Sequence, residues 1–163
     1  MRIKILALGL ICFLLISCAQ KSEKTQIAMK VMSTISIALT DFMTDNGTVP
    51  VQDGIYSKSD SFYNSLSPFY LKEFPVEDPW GRSYRVYCGE ACDGNYGISG
   101  TTAGWDFVVV SYGRDGVREA WEFDPSDPEG GMFVIKDASD LDKDIVMWNG
   151  SWIRAPRGSI EIN

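Results

Sequence analysis

The sequence predicts an α+β domain in which one long amphipathic helix packs on a small antiparallel sheet. Three observations lead there. Ile27, Val31, Ile35, Leu39 and Phe42 recur at steps of three or four residues, and Ala28 and Met32 widen the stripe; that spacing places them on one helical face. Short runs rich in β-branched and aromatic residues come next, divided by turn residues. Near the end, Asn149-Gly150 stands between two such runs and suits both left-handed positions of a type I′ hairpin turn. A helix first and strands after it is an α+β order.

The helix is expected over about residues 22–44, stopping at Asp45-Asn46-Gly47, where Asn-Gly supplies left-handed backbone. Being mixed polar and apolar, it reads as a helix that packs on a sheet, not a membrane span. Residues 48–75 show little period and read as loop, with one short helix around 61–66. Asp78-Pro79-Trp80-Gly81 is a turn, since proline fixes φ and glycine tolerates the tight backbone after it. Strands are expected over residues 83–87, 107–110 and, shorter, 119–123. Gly113-Arg114-Asp115-Gly116 turns the chain between the last two. Residues 124–131, acidic and rich in Pro and Gly, read as loop. The hairpin then joins residues 145–148 to 151–154.

The front of the chain is of another kind. Arg2 and Lys4 precede an apolar run over residues 5–16, shorter than the roughly 20 residues a helix needs to span a bilayer. It fits the apolar region of a secretory signal. Leu15-Ile16-Ser17-Cys18 resembles the bacterial lipobox: two aliphatic residues, a small one, then cysteine. The resemblance implies a signal peptide over 1–17 and a lipidated Cys18. It leaves a polar tether over 18–22 and one globular domain over 23–163. Several acyl chains on one residue make a firm anchor, at roughly 0.8 kcal/mol per buried methylene. Ala19, not an aspartate, follows the cysteine; by the enterobacterial sorting rule this favours the outer membrane, with the domain facing the periplasm.

At 163 residues, 45% hydrophobic and 23% charged, the chain has room for one domain with a real core. Losing Arg2 and Lys4 takes the net charge from −7 to −9. Such an acidic domain repels phosphate backbones, so nucleic acid is a poor partner. Besides Cys18, the mature domain keeps Cys88 and Cys92, which in an oxidising envelope are expected to close a small disulfide loop. A zinc site would need more ligands, and the chain has no histidine. A redox motif would place two residues between the cysteines, and here there are three.

Several motifs together resemble the major pseudopilin of type II secretion systems. Asp45-Asn46-Gly47-Thr48-Val49-Pro50 comes after a long helix, as the family's Asp-Asn-Gly-x-x-Pro does. Tyr70-Leu71-Lys72-Glu73-Phe74-Pro75, Asp78-Pro79-Trp80-Gly81 and Tyr84 stand in the family's order. Ser111-Tyr112-Gly113-Arg114-Asp115-Gly116 matches its Ser-x-Gly-x-Asp-Gly turn, and Asp142-Lys143-Asp144-Ile145 its closing Asp-x-Asp-Ile. The resemblance covers roughly residues 25–145 and implies a pilin-like domain with a calcium-holding loop. Carried over residue by residue, Asp115 is the leading ligand, with the Tyr112 carbonyl beside it and Asp144 and Asp142 next. Calcium takes six to eight hard oxygens and tolerates carbonyls. An EF-hand is excluded: Asp140, Asp142 and Asp144 have its first spacings, but Ile145 and Ser151 stand where it needs Gly and Glu.

The chain departs from the family in two places. Residues 117–141 form a longer insertion, which leaves open which carboxylates reach the ion. The family's Gly-Phe-Thr-Leu-x-Glu start to an apolar, filament-forming helix is absent, and the lipobox stands in its place. The expected function is therefore a non-enzymatic envelope lipoprotein that docks to envelope proteins, secretion components among them. Trp148 and Trp152 are candidate contact residues, although core packing is the commoner fate of such side chains. A carboxylate hydrolase would need a marked acid pair, and the sequence shows none, nor a phosphate loop or nucleophile elbow. A true pilus subunit would need the missing helix.

Overall fold

The computed structural model describes residues 2–101 and 104–157, with side chains described from residue 23. Helix α1 runs Arg2–Asn46 without interruption. No proline or glycine falls between Leu10 and Gly47, so nothing breaks the helical ladder at Cys18, and residues 18–22 are helical where a tether was expected. At about 1.5 Å per residue the rod is about 68 Å long. Its C-terminal end lies where Asn-Gly predicts it. The Gly47 N–H closes on the Met43 carbonyl, and the Asn46 side chain bonds the Phe42 carbonyl and the Tyr70 hydroxyl.

The buried stripe of α1 is Ala28, Met32, Ile35 and Leu39, with Ala38 beside it. Ile35 and Leu39 lie on the contact line as expected, while at its N-terminal end Ile27 is 44% exposed and Val31 half-buried, and Ala28 and Met32 take the contact instead. An 18-residue window within Glu23–Asn46 has a mean hydropathy of 1.2, enough by length and composition to cross a membrane; the same property marks a core helix, and here the segment packs against the sheet.

The sheet has six strands in the described residues, ordered β1-β2-β3-β5-β6-β4. These are β1 (Asp53–Ile55), β2 (Arg85–Cys88), β3 (Phe107–Ser111), β4 (Met132–Phe133), β5 (Ile145–Trp148) and β6 (Ser151–Pro156). Neighbours pair antiparallel except β4 with β6, which run parallel. The sheet is thus mixed, not purely antiparallel. The β5–β6 hairpin turns on Asn149 (φ 47°) and Gly150 (φ 82°), as a type I′ turn requires. Helix α2 occupies Ser61–Leu66 as expected.

Every residue of β3 is buried, because both faces of the sheet are covered. Phe107 and Val109 face α1 and join a core with Tyr56, Phe62, Phe74, Tyr84, Val86 and Met147. Val108 and Val110 face the other way, into a second core with Tyr96, Ile98, Tyr112, Val146 and Ile153. Irregular chain covers that second face, with Trp121 and Phe123 packed onto it. Residues 119–123, expected as a strand, are irregular because their backbone is engaged elsewhere: Glu119 N–H donates to Asp144 and Phe123 N–H to the Tyr96 carbonyl.

Candidate functional site

The motif residues meet at the end of β3. Asp78 is buried (5% exposed). Its Oδ1 accepts from the Trp80 and Arg82 N–H groups, closing the Asp-Pro-Trp-Gly turn, and its Oδ2 accepts from Ser111 Oγ at 2.7 Å. Two of the motifs are therefore bolted together by one side-chain bond. Gly113 then passes the loop before β5 at close range. A Cβ there would lie 2.7 Å from the Lys143 carbonyl and 2.8 Å from that of Leu141, and φ is +62°. Arg114 N–H donates to the Leu141 carbonyl. Only glycine fits such an approach at a positive φ.

The four expected calcium ligands do not form one donor set. Asp115 is exposed, and its Oδ1 caps its own turn by accepting from Val117 N–H. The Tyr112 carbonyl accepts from Gly116 N–H. Both Asp142 oxygens hold the Arg114 guanidinium in a bidentate pair, at 2.7 and 2.6 Å, so a cation already occupies that carboxylate. Among the described residues no three Asp, Glu or Cys side chains are grouped closely enough to hold a metal ion. These residues do not fit a resident calcium.

Asp144 is fully buried. Its Oδ2 accepts from the Tyr96 hydroxyl at 2.5 Å and from Glu119 N–H at 3.0 Å, while its own N–H donates to Glu119 Oε2. Arg154, only 8% exposed, grips both Glu119 oxygens, at 2.6 and 2.8 Å. Asp144 Oδ1 is left without a partner. The Arg154 guanidinium thus pairs with Glu119 and acts on Asp144 only through space. Burial pushes the Asp144 carboxyl up to about 6, and the nearby Glu119 charge pushes the same way. The bonds from Tyr96 and the Glu119 N–H pull back. Burial, then the Asp144 charge, raises the Tyr96 phenol far above its ordinary value, so it stays a donor.

Tyr96, Glu119 and Arg154 carry this network, and sequence reasoning did not single them out. One signal existed: Arg154 stands between Ile153 and Ala155 in the hairpin strand, and a charge among buried neighbours needs a partner. Trp148 and Trp152 are half-buried against the second and first cores respectively, the packing expected of most such side chains.

Cys88 and Cys92 are both buried and both free thiols, so the expected bridge is not formed in this structure. A 3-10 turn, Gly89–Cys92, separates them. Cys88 belongs to the α1-side core and Cys92 to the opposite one, where its Sγ donates to the Tyr87 carbonyl at 3.3 Å. Burial pushes the Cys92 thiol up to about 12 and Cys88 higher still. The backbone of Cys18 is helical, and its side chain lies outside the described residues. Comparison with known proteins found no family model that matches the chain and no curated protein similar to it. The likeness to pseudopilins rests on its motif residues alone.

Proposed function

We propose that this chain is a lipid-anchored cell-envelope protein whose domain is a non-enzymatic docking module serving type II secretion. Acyl chains on Cys18 hold it at the periplasmic side of the outer membrane. One observation carries the reading: Leu15-Ile16-Ser17-Cys18 stands just ahead of Glu23–Asn46, the part of α1 that packs on the sheet. Cleavage before Cys18 keeps that packing stripe, because Ala28 is the first buried apolar residue among the described side chains. Roughly 0.8 kcal/mol per buried methylene over several acyl chains then fixes the domain to the bilayer. Crosslinking in the native envelope tests the docking role. Secretion-machinery proteins are expected among the products of the wild type, and not of Cys18→Ser. A chain found in the soluble fraction, crosslinked to none of them, would contradict it.

One finding favours a second reading, a structural pseudopilus-like subunit. Helix α1 continues unbroken from the apolar run into the packed segment, so an uncut chain would present one apolar rod joined rigidly to the sheet. In that reading Cys18 is an ordinary helix residue.

A further inference from the structure

Val51 is 94% exposed, the most of any large apolar side chain among the described residues. It stands at the rim of a recess of about 300 Å³, lined by residues 48–53 and 88–91 and by Gly104. Val49, Pro50 and Cys88, all buried, give the recess an apolar floor. Trp105, the residue after Gly104, is 55% exposed. Asp53 and Glu90 also line the recess. Both are exposed, and neither holds a cation within 4.0 Å among the described residues.

Main-chain bonds tie the lining stretches to one another. Val49 N–H donates to the Gly104 carbonyl at 2.8 Å, and Cys88 N–H to the Gln52 carbonyl at 2.9 Å. Gly104 has a φ of +103°, and a Cβ there would lie 2.9 Å from Thr48 Oγ1, so this approach needs glycine. The fold thus shapes the recess before anything enters it, which lowers the cost of filling it. Its place in the molecule also matters. Thr48 stands just beyond Asn46, which lies about 42 Å along α1 from Cys18. A domain held at Cys18 carries the recess at the opposite end of its helix.

We propose that this recess receives the protein partner of the docking module. The partner segment sets one apolar side chain against Val49, Pro50 and Val51, between Lys or Arg side chains that pair with Asp53 and Glu90. This assignment rests on the docking role of the domain. Apolar contact supplies the affinity, since a single anchor side chain in a water-excluding pocket carries much of the binding energy of such interfaces. A large apolar side chain left in water beside a preformed recess fits that use. Charge then selects the partner. With a net charge of −7 the chain repels acidic proteins and anionic lipid. A second copy of the chain brings the same excess of acid, so the occupant is a different, basic protein.

The test is a titration of the full chain in nanodiscs of zwitterionic lipid, read through the methyl resonances of Val49. The probe is the acetylated peptide Lys-Arg-Leu-Lys-Arg, set beside Lys-Arg-Ser-Lys-Arg and Glu-Glu-Leu-Glu-Glu. The first is expected to shift Val49 saturably, about tenfold more tightly than either control, and less tightly as salt rises. Val51→Ser should weaken it about tenfold. Asp53→Asn with Glu90→Gln should weaken it and flatten the salt dependence. All three side chains are exposed, so the melting temperature should stay in place. Shifts that are unsaturable, unchanged in these variants, or matched by either control would overturn the proposal. Crosslinking in the native envelope separates the recess from the docking role. Products lost in Val51→Ser support the recess, whereas products that persist in that variant overturn it and leave the docking role standing. No products from the wild type would contradict the docking role, while the peptide titration still decides the recess.

Discussion

Asp144 is buried with one oxygen unpartnered, and its charge is the most costly single feature of the network. Its carboxyl sits at about 6 in the folded protein against an ordinary 3.8, so the native state binds this proton more tightly than the unfolded chain does. The stability it contributes is full below about pH 4 and is lost as pH rises through 6. On that shift the loss is about 3 kcal/mol. Denaturant unfolding of the domain at pH 4 and pH 7 should show this slope, and Asp144→Asn should flatten it; an equal slope in the variant would contradict the assignment. Arg154→Met should cost about 3 kcal/mol, because it strands Glu119 beside Asp144. Glu119→Gln in the same chain should restore part of that, the signature of a coupled pair. Of this network only Asp144 was marked in the sequence, through Asp142-Lys143-Asp144-Ile145. Its partners Tyr96, Glu119 and Arg154 lie 48, 25 and 10 positions away along the chain. No local pattern announces a bond over such distances.

The elements read most easily are those whose signals are local. The end of α1, the whole of α2 and the β5–β6 hairpin arise from Asn-Gly turns and periodicity. Strands β1 and β4 do not, since three and two residues are too few to show alternation. They exist because β2 and β6 offer them an edge. The edge at β1 is then blunted by the Gln52 side chain, which bonds the Gly54 and Ile55 carbonyls. Residues 119–123 alternate as a strand would, yet their donors serve Asp144 and Tyr96. At this scale Gly113→Ala should destabilise by about 2 kcal/mol or more, since it combines a positive φ with two carbonyls under 3 Å from the new Cβ. Leu39→Ala, emptying the centre of the α1 stripe, should cost about 3 kcal/mol. Melting curves would check both. A neutral Gly113→Ala would mean that the loop before β5 does not lie where it is placed.

Over the whole molecule, one helix closes one face of the sheet and irregular chain closes the other. The α+β layout was legible because helix and strand signals fall in separate halves of the sequence. The covering of the second face was not, because it depends on Trp121, Phe123 and the Glu119–Arg154 pair, and residues 119–123 read as a short strand where they are irregular. The proposed function turns on the chemistry at the start of the packed helix. Mass spectrometry of the N-terminal peptide, taken from the protein in its native membrane, measures that directly. A lipid-anchored domain predicts a chain beginning at Cys18 and carrying a diacylglycerol and an acylated amino terminus, with processing lost in Cys18→Ser. A peptide that retains residues 5–16, or begins at an unacylated residue, would contradict it.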